Sequence, residues 1–482
     1  MSDLERLRAR AAHQAVMGVR AMTSARAYRQ RIRSLPAEIV INGLGQALAM
    51  LVRDGASDRQ DDAAAARALM THLNVWLCTG FPDSPLAVTG DRLVHAVTTC
   101  DDATYVWAGV EAQAYLRWLK KFAEAYLADA DADDGEDVSK KKSKGRGRDG
   151  RRPPDRVREE AASTRQPGPL HIPRTSASAP AGGALIMHGR RLLSDAGSVP
   201  SAAVDGQSVM PLPAAIARDV RQSGNSRGND GLRFDRFCDT WKPDWTGLRE
   251  PDAPRGIKAG AADWAARFDR ILGDAALLEE ADDRRRRWLD ACQARHRRFV
   301  TDWRFVSGLG RDHPVENGFA WHHTLGVPYL PGSSVKGMVK SWCRDWLPGE
   351  DLPMPIETIF GTAPEGAGDE AASVGAFIFL DAIPADRIRC QADVMTPHYQ
   401  PYYQSAGQVP APGDWFSPNP ISFLTVAPGQ AFRFAIMPRT DQAMDKMDWM
   451  FQALADALEW IGAGAKTATG YGRFVPASDT GD

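Results

Sequence analysis

The chain has 482 residues and a formal net charge of -2, so no overall basic excess announces a nucleic-acid partner. Hydrophobic residues make up 43% and charged residues 25%, ordinary for a soluble globular protein, and the length implies two or three domains. Cys78, Cys100, Cys238, Cys292, Cys343 and Cys390 form no C-x-x-C pair, which argues against a zinc knuckle or a disulfide framework and fits a reduced cytosol. No apolar run approaches the roughly 20 residues that span a bilayer. The start MSDLERLRARAA is charged and lacks an apolar signal core, so the expectation is a cytoplasmic protein without a membrane partner.

Residues 1–129 read as an all-α bundle. Ser2 and Glu5 have the spacing of a capping box, and Leu4, Leu7, Ala11 and Ala15 come after them at helical intervals. A second helix is expected from near Ser34, with Pro36 in its first turn, where a missing N–H does no harm. Further helices are expected at 61–78, 88–98 and 102–127, the last bringing Tyr105, Trp107, Tyr115, Trp118 and Phe122 to the core. Arg26, Arg29 and Arg33 share one helix face, a candidate phosphate stripe. Gly43 and Gly45 interrupt a helical stretch at a cost of about 1 kcal/mol each relative to Ala. Close helix packing and RNA contact explain them equally well.

Residues 130–225 read as a largely disordered linker. An acidic run, DADADDGED, precedes the basic SKKKSKGRGRDGRRPP, and Ser, Ala, Pro and Gly dominate the remainder of the stretch. Such a composition buries too little apolar surface to offset the entropy of ordering.

Residues 226–482 read as a mixed domain. Strands are expected at 295–308, 375–383 and 430–438 and in GYGRFVP, with helices at 333–346 and 441–461. The fold class is therefore multidomain: an all-α bundle, then an α/β domain whose β-α-β-β-α-β order predicts a ferredoxin-like, RRM-like fold. An aromatic and Pro-rich insertion at 384–420 interrupts that order. Its Tyr399, Tyr402 and Tyr403 are candidates for stacking on bases or packing at a subunit interface.

Two segments carry the candidate chemistry. In PYLPGSSVKGMVKSWCR, a serine, Ser333 or Ser334, is the expected N-cap of a helix whose free N–H groups suit a phosphate. Lys336, Lys340 and Arg344 lie along one face of that helix. In GAGAKTATGYGR, Gly462 and Gly464 permit close backbone approach to a phosphate, beside Lys466, Thr467, Tyr471 and Arg473. A solvated helix face and a tight helix-to-strand loop are the bland alternatives. Neither segment has P-loop spacing.

PYLPGSSVKGMVK paired with GAGAKTATGYGRF resembles the RAMP superfamily of CRISPR-Cas proteins. GLGRDHPVENG, IETIFG and DVMTPHYQPYY, in that order, narrow the resemblance to the RAMP subunit that caps the backbone of type III-B effector complexes. RAYRQRIRSLPAEIVINGLGQALAML resembles the small helical subunit of the same complexes. The resemblance implies a fusion that binds guide RNA and the guide–target duplex and caps the filament. Its partners would be the guide RNA, single-stranded target RNA, other RAMP backbone subunits and the large signalling subunit. No cofactor is required for binding. Asp312, before His313-Pro314, matches the loop aspartate of target-cutting RAMP subunits. The alternative it implies is an endoribonuclease using Mg2+ or Mn2+, although the capping subunit is regarded as non-cutting. A stand-alone guide-processing RNase is the other enzyme class, but a clear second catalytic histidine motif is missing. His313, His322 and His323 lack partners at zinc-ligand spacing, so no metal site is expected.

Overall fold

In a computed structural model, the described residues are 3–86, 93–127, 210–223, 228–249, 259–347, 349–362, 372–399, 402 and 417–478. Residues 1–127 and 207–482 belong to one compact unit, while 128–206 lie outside the described residues. Ser2, at the head of the expected capping box, likewise lies outside the described residues.

The amphipathic spacing of the N-terminal region produces α1 (Asp3–Val19), α2 (Ala25–Gly55), α3 (Gln60–Asn74), α4 (Leu93–Thr99) and α5 (Asp102–Tyr126). α2 packs on α3 and α5, and α1 on α5. Tyr28, Ile32, Leu35, Trp76, Tyr115 and Leu116 are buried between them. The buried Glu111 carboxylate accepts from Arg8 Nε at 2.8 Å, Arg8 Nη2 at 2.5 Å and Trp76 Nε1 at 2.8 Å. A buried charge with three donors is compensated, which an unpaired one would not be.

α2 corrects two sequence expectations. It begins at Ala25 rather than near Ser34 and carries Pro36 in its interior. Pro36 removes one backbone donor, but Ile32, Leu35 and Ile39 are buried around it, and that packing outweighs the propensity penalty. α2 is also long and apolar enough, by composition alone, to cross a bilayer, yet 72% of that window is buried inside the fold.

Gly43, at φ 79°, breaks the helical geometry inside α2. In an unbroken helix the Gly45 N–H would meet the Ile41 carbonyl. Instead it donates to the Tyr105 hydroxyl at 3.0 Å, and Arg236 donates to the Ile41 and Val40 carbonyls at 3.1 and 2.5 Å. A Cβ at Gly45 would stand 1.6 Å from the Pro211 carbonyl oxygen. Both glycines thus serve a kink and a close approach.

Met210–Ser223, expected to be linker, joins the fold instead. Met210 and Leu212 are buried beside Tyr105 and Phe237, and α6 (Ala214–Gln222) comes directly after them. α7 (Asp230–Arg236), α8 (Ala259–Ala266) and α9 (Ala275–Ala291) lead to the sheets. Beyond them lie α10 (Gly332–Asp345), α11 (Ile356–Phe360) and α12 (Met447–Trp460).

The strands are β1 (Ile271–Leu272), β2 (Arg295–Thr301), β3 (Phe377–Phe379), β4 (Ile388–Met395), β5 (Ile421–Val426), β6 (Ala431–Pro438) and β7 (Phe474–Pro476). The central sheet runs β7-β2-β6-β3 with every neighbouring pair antiparallel. A second sheet runs β1-β4-β5, also antiparallel. The expected insertion at 384–420 therefore contains β4 and leads into β5. Helices α10 and α12 pack on each other and on the central sheet. Phe432 and Phe434, two apart on β6, share the face where Phe299, Phe305 and Phe474 meet them ring to ring. Arg433, between them, points to the other face and is 1% exposed. There it makes a bidentate pair with Asp282 of α9, at 2.7 and 2.9 Å.

The helical region and the sheet domain are joined by Gln46, which is fully buried. Its Nε2 donates to the Arg236 and Cys238 carbonyls at 3.1 and 2.8 Å, and its Oε1 accepts from Trp241 Nε1 at 2.7 Å. Gln46→Leu would strand three buried polar groups, each worth about 1–3 kcal/mol. Full-length Gln46→Leu is expected to lose at least about 3 kcal/mol of stability in urea and to expose Trp241 to quenchers. A wild-type unfolding midpoint would show that the junction does not depend on this amide.

Candidate nucleic-acid interface

The candidate residues lie on three separate elements. On α2, Arg26 and Arg33 are exposed and Arg29 is half-buried, and Arg33 stands 3.8 Å from Glu124. On α10 the buried residues Val335, Met338, Val339, Trp342 and Cys343 turn Lys336, Lys340 and Arg344 toward solvent. Arg344 is paired with its neighbour Asp345 at 2.7 and 2.8 Å.

The start of α10 differs from expectation. Pro331 is its N-cap and neither serine side chain caps it, although Ser333 and Ser334 are exposed in the first turn. The Gly332 N–H donates to Asp381 Oδ1 at 2.6 Å. A carboxylate therefore already occupies the favourable end of the dipole. Gly332 is needed because a Cβ there would stand 2.3 Å from the Phe379 carbonyl oxygen.

The glycine-rich loop after α12 is folded onto the protein. Gly462, Gly464, Gly470 and Gly472 all have φ between 76° and 92°, and Lys466 sits in the left-handed region at 60°. A Cβ would meet the Val306 carbonyl oxygen at 2.2 Å from Gly464 and the Ala463 carbonyl oxygen at 1.9 Å from Gly472. The N–H groups of Ala463, Ala465 and Gly472 donate to Gly472, Val306 and Arg304 carbonyls at 2.8 Å. Those donors are spent inside the protein. Thr467 takes its place in a short 3-10 turn, and Arg473 donates to the Glu459 carbonyl at 3.1 Å.

Side chains beside this loop form a compact cluster that sequence reading missed in part. Tyr471 donates to Asp393 Oδ2 at 2.6 Å, and Arg304 pairs with the same carboxylate. Burial, then the bond to Asp393, pushes the Tyr471 phenol well above its usual range. Lys466 Nζ lies 2.9 Å from Met395 Sδ and 5.1 Å from the Phe423 ring centroid. Burial lowers its pKa from the ordinary lysine value, while Asp393 opposes that. The cluster thus holds two cations, a carboxylate and two buried aromatic rings, and it ties the loop to β4 and β5. Asp393 opens the DVMTPHYQPYY motif, but nothing in its local spacing points to Tyr471.

In the insertion, Tyr399 is half-buried beside His398, with ring centroids 6.4 Å apart. Tyr402 is half-buried, and Tyr403 lies outside the described residues.

Asp312 is exposed at the junction with α2. Its backbone carbonyl accepts from Asn42 Nδ2 at 2.9 Å, and its charge reaches Arg31 and Glu38, which pair with each other. Its neighbour His313 is buried and stacks on Phe234 with 4.5 Å between ring centroids. Its Nε2 donates to the Phe234 carbonyl at 3.0 Å while Nδ1 accepts from Val315 N–H at 3.2 Å. Burial holds its pKa down at about 3. No group of three His, Cys, Asp or Glu able to hold a metal ion occurs among the described residues.

The model of the CRISPR-associated Cas_Cmr5 family matches residues 4–126, and that of the RAMP superfamily matches residues 295–475. The chain joins a region of the Cas_Cmr5 kind to a region of the RAMP-superfamily kind. Relatives of the RAMP region include CRISPR system Cmr subunit Cmr6 of Pyrococcus furiosus, 31% identical over 37% of this chain and 66% of that protein. The Cmr6 subunit of Saccharolobus solfataricus is 28% identical over 33% of this chain and 48% of that protein. The chain thus spans just under two thirds of one curated relative and about half of the other. Among solved structures, a type III-B Cmr-beta chain, from a cryo-EM structure bound to cognate target RNA, is 21% identical with a TM-score of 0.35. That match covers 55% of this chain and 87% of that one. Arg26, Arg29 and Arg33 fall in the Cmr5 region, and Asp312, α10 and the glycine loop in the RAMP region.

This geometry predicts two outcomes. Tyr471→Phe deletes a hydrogen bond to a carboxylate and is expected to cost about 1.5–3 kcal/mol in urea unfolding. No loss would mean that the cluster does not anchor the loop. At His313 the folded pKa lies below the usual histidine value of 6.5, so the unfolded chain takes up a proton that the folded chain refuses. Stability is therefore lost as pH falls from about 6.5 toward 3, by about 2 kcal/mol between pH 7 and 5. Urea midpoints of wild type and His313→Gln at both pH values check this. An equally steep decline in the variant would assign the acid sensitivity elsewhere.

Proposed function

We propose that the chain is an RNA-binding structural subunit of a type III CRISPR-Cas RNA-guided interference complex. The Cmr5 region would lie along the guide–target duplex and the RAMP region would cap the backbone filament. The observation that carries this is the presence of both families in one chain, in one compact unit. The central sheet supports a ferredoxin-like reading of the RAMP region. Numbered by their place in β-α-β-β-α-β, its strands lie in the order 4-1-3-2. Its partners would be guide RNA, target RNA, further RAMP backbone subunits and the large signalling subunit, all in the cytoplasm. RNA contact would use the α2 arginines, the solvent face of α10 and the Lys466 cluster, with no cofactor.

The endoribonuclease alternative draws support from Asp312, an exposed carboxylate on a backbone pinned by Asn42, where Mg2+ or Mn2+ would have to bind. A guide-processing RNase gains little from His313, whose two ring nitrogens are spent on backbone groups.

The test is the reconstituted complex titrated with labelled target RNA across a salt series. Lys336→Ala and Lys466→Ala should each weaken binding and reduce the slope of log affinity against log salt by about 0.7–0.9. Wild-type affinity and slope in both variants would defeat the phosphate assignment. With Mg2+ present, loss of one cleavage position in Asp312→Ala with binding intact would replace the structural reading by the catalytic one.

A further inference from the structure

Backbone hydrogen bonds hold the end of β2, the start of β7 and the end of α12 side by side. The Asp302 N–H donates to the Arg473 carbonyl at 2.9 Å, and the Gly472 N–H to the Arg304 carbonyl at 2.8 Å. The Ala463 N–H donates to the Gly472 carbonyl at 2.8 Å, and Arg473 Nη1 donates to the Glu459 carbonyl at 3.1 Å. This neighbourhood carries two open indoles. Trp303 is 46% exposed, and Trp460, the last residue of α12, is 59% exposed. Arg304 stands 5.8 Å from the Trp303 ring centroid, already neutralised by Asp393. No ring or cation stands over Trp460 among the described residues. Neighbouring exposed indoles form a patch rather than a scattered apolar residue, and Trp is enriched among the anchors of protein interfaces.

The charge around the patch is negative. Asp302 and Glu459 are exposed and enter no ion pair among the described residues. Asp456 lies one turn before Trp460 on the same side of α12 and accepts from the neutral Gln452 at 2.8 Å. Arg473 stands against these carboxylates, while Lys466 is turned to Met395 and feels Asp393. Such a surface repels a phosphate backbone. A guanidinium or ammonium group gains both from the indole face and from the carboxylates.

We propose that this patch docks a basic segment of a partner protein, with an arginine or lysine side chain on the open face of Trp460 and its charge met by Asp456, Glu459 and Asp302. Arginine is the better fit, because its planar guanidinium stacks on the ring while its edge donates to carboxylates.

Fluorescence anisotropy with the full-length chain tests this. The probes are a labelled alternating Arg-Gly decapeptide, its Glu-Gly counterpart and decauridylate RNA. The Arg-Gly peptide should bind saturably, and the Glu-Gly peptide should not. Trp460→Ala should weaken Arg-Gly binding by about five-fold or more. Trp346→Ala, at an indole equally exposed just beyond α10, should leave it at wild-type affinity. The double variant Asp302→Asn, Glu459→Gln removes charge without removing volume, and it should weaken binding as well should Trp460→Ala fail to fold. Absence of saturable binding, wild-type affinity in the folded variants, or an equal loss in Trp346→Ala overturns the proposal. Weaker decauridylate binding in Trp460→Ala also overturns it, in favour of a base-stacking site.

Discussion

The fold turns on the break at Gly43. Kinking α2 there takes the Gly45 amide from the Ile41 carbonyl and leaves the Val40 and Ile41 carbonyls without their helical partners. A carbonyl that has lost its helical partner must turn to water or to another donor. Arg236 supplies it from α7, on the sheet-domain side. One turn further along α2, Gln46 bonds the segment just after α7, and Arg53 donates to the Pro314 carbonyl at 3.0 Å. A flaw in one helix thereby becomes the docking site of another region. The arrangement requires glycine twice, for the positive φ of residue 43 and for the Pro211 contact at residue 45.

Polar groups buried elsewhere obey the same logic. Arg433 stands in a strand whose neighbours Phe432, Phe434 and Ile436 are all buried. An isolated guanidinium there would carry a desolvation cost of several kcal/mol. Asp282 meets it with two parallel hydrogen bonds, and His296 Nδ1 stands 3.3 Å from its Nη1. Such a pair adds little stability over an apolar replacement, but it fixes the register of α9 against β6, because displacement of either element strands a charge. Glu111 plays the same part in the bundle, tying α1 and the stretch after α3 to α5 through Arg8 and Trp76.

Much of this was legible in the sequence where periodicity is strong. The apolar spacing of α5 and α12 and the alternation in QAFRFAIMP give the elements within a few residues, and their order gives the central sheet. What was missed lies where a local rule yields to packing. Pro36 reads as a helix start, yet burial on both sides holds it inside α2. The prolines around 396–420 mask β4 and β5, although ISFLTV is a strand-like run. Ser333 reads as a cap, but Asp381, 49 residues beyond Gly332, takes that place. The site shows the same division. Lys466 and Tyr471 were visible in a glycine-rich motif, whereas Asp393 and Arg304 reach them only through the fold. No local pattern encodes a contact between residues 78 positions apart.

The junction also bears on what the fusion does to the bundle. A bundle held by a tether alone keeps its own orientation and moves within the linker's reach. Here the second half of α2 is covered by Trp241 and Trp245, which pack on Ala49 and Met50. That surface is therefore taken and cannot serve RNA or another subunit. In the first half of α2, Arg26 and Arg33 remain exposed. The Gly43 kink thus divides one helix into a segment that fixes the bundle on the RAMP region and a segment packed in the bundle core whose Arg26 and Arg33 face outward. Orientation of the arginine stripe is then set by the RAMP region itself and not by the length of the intervening chain.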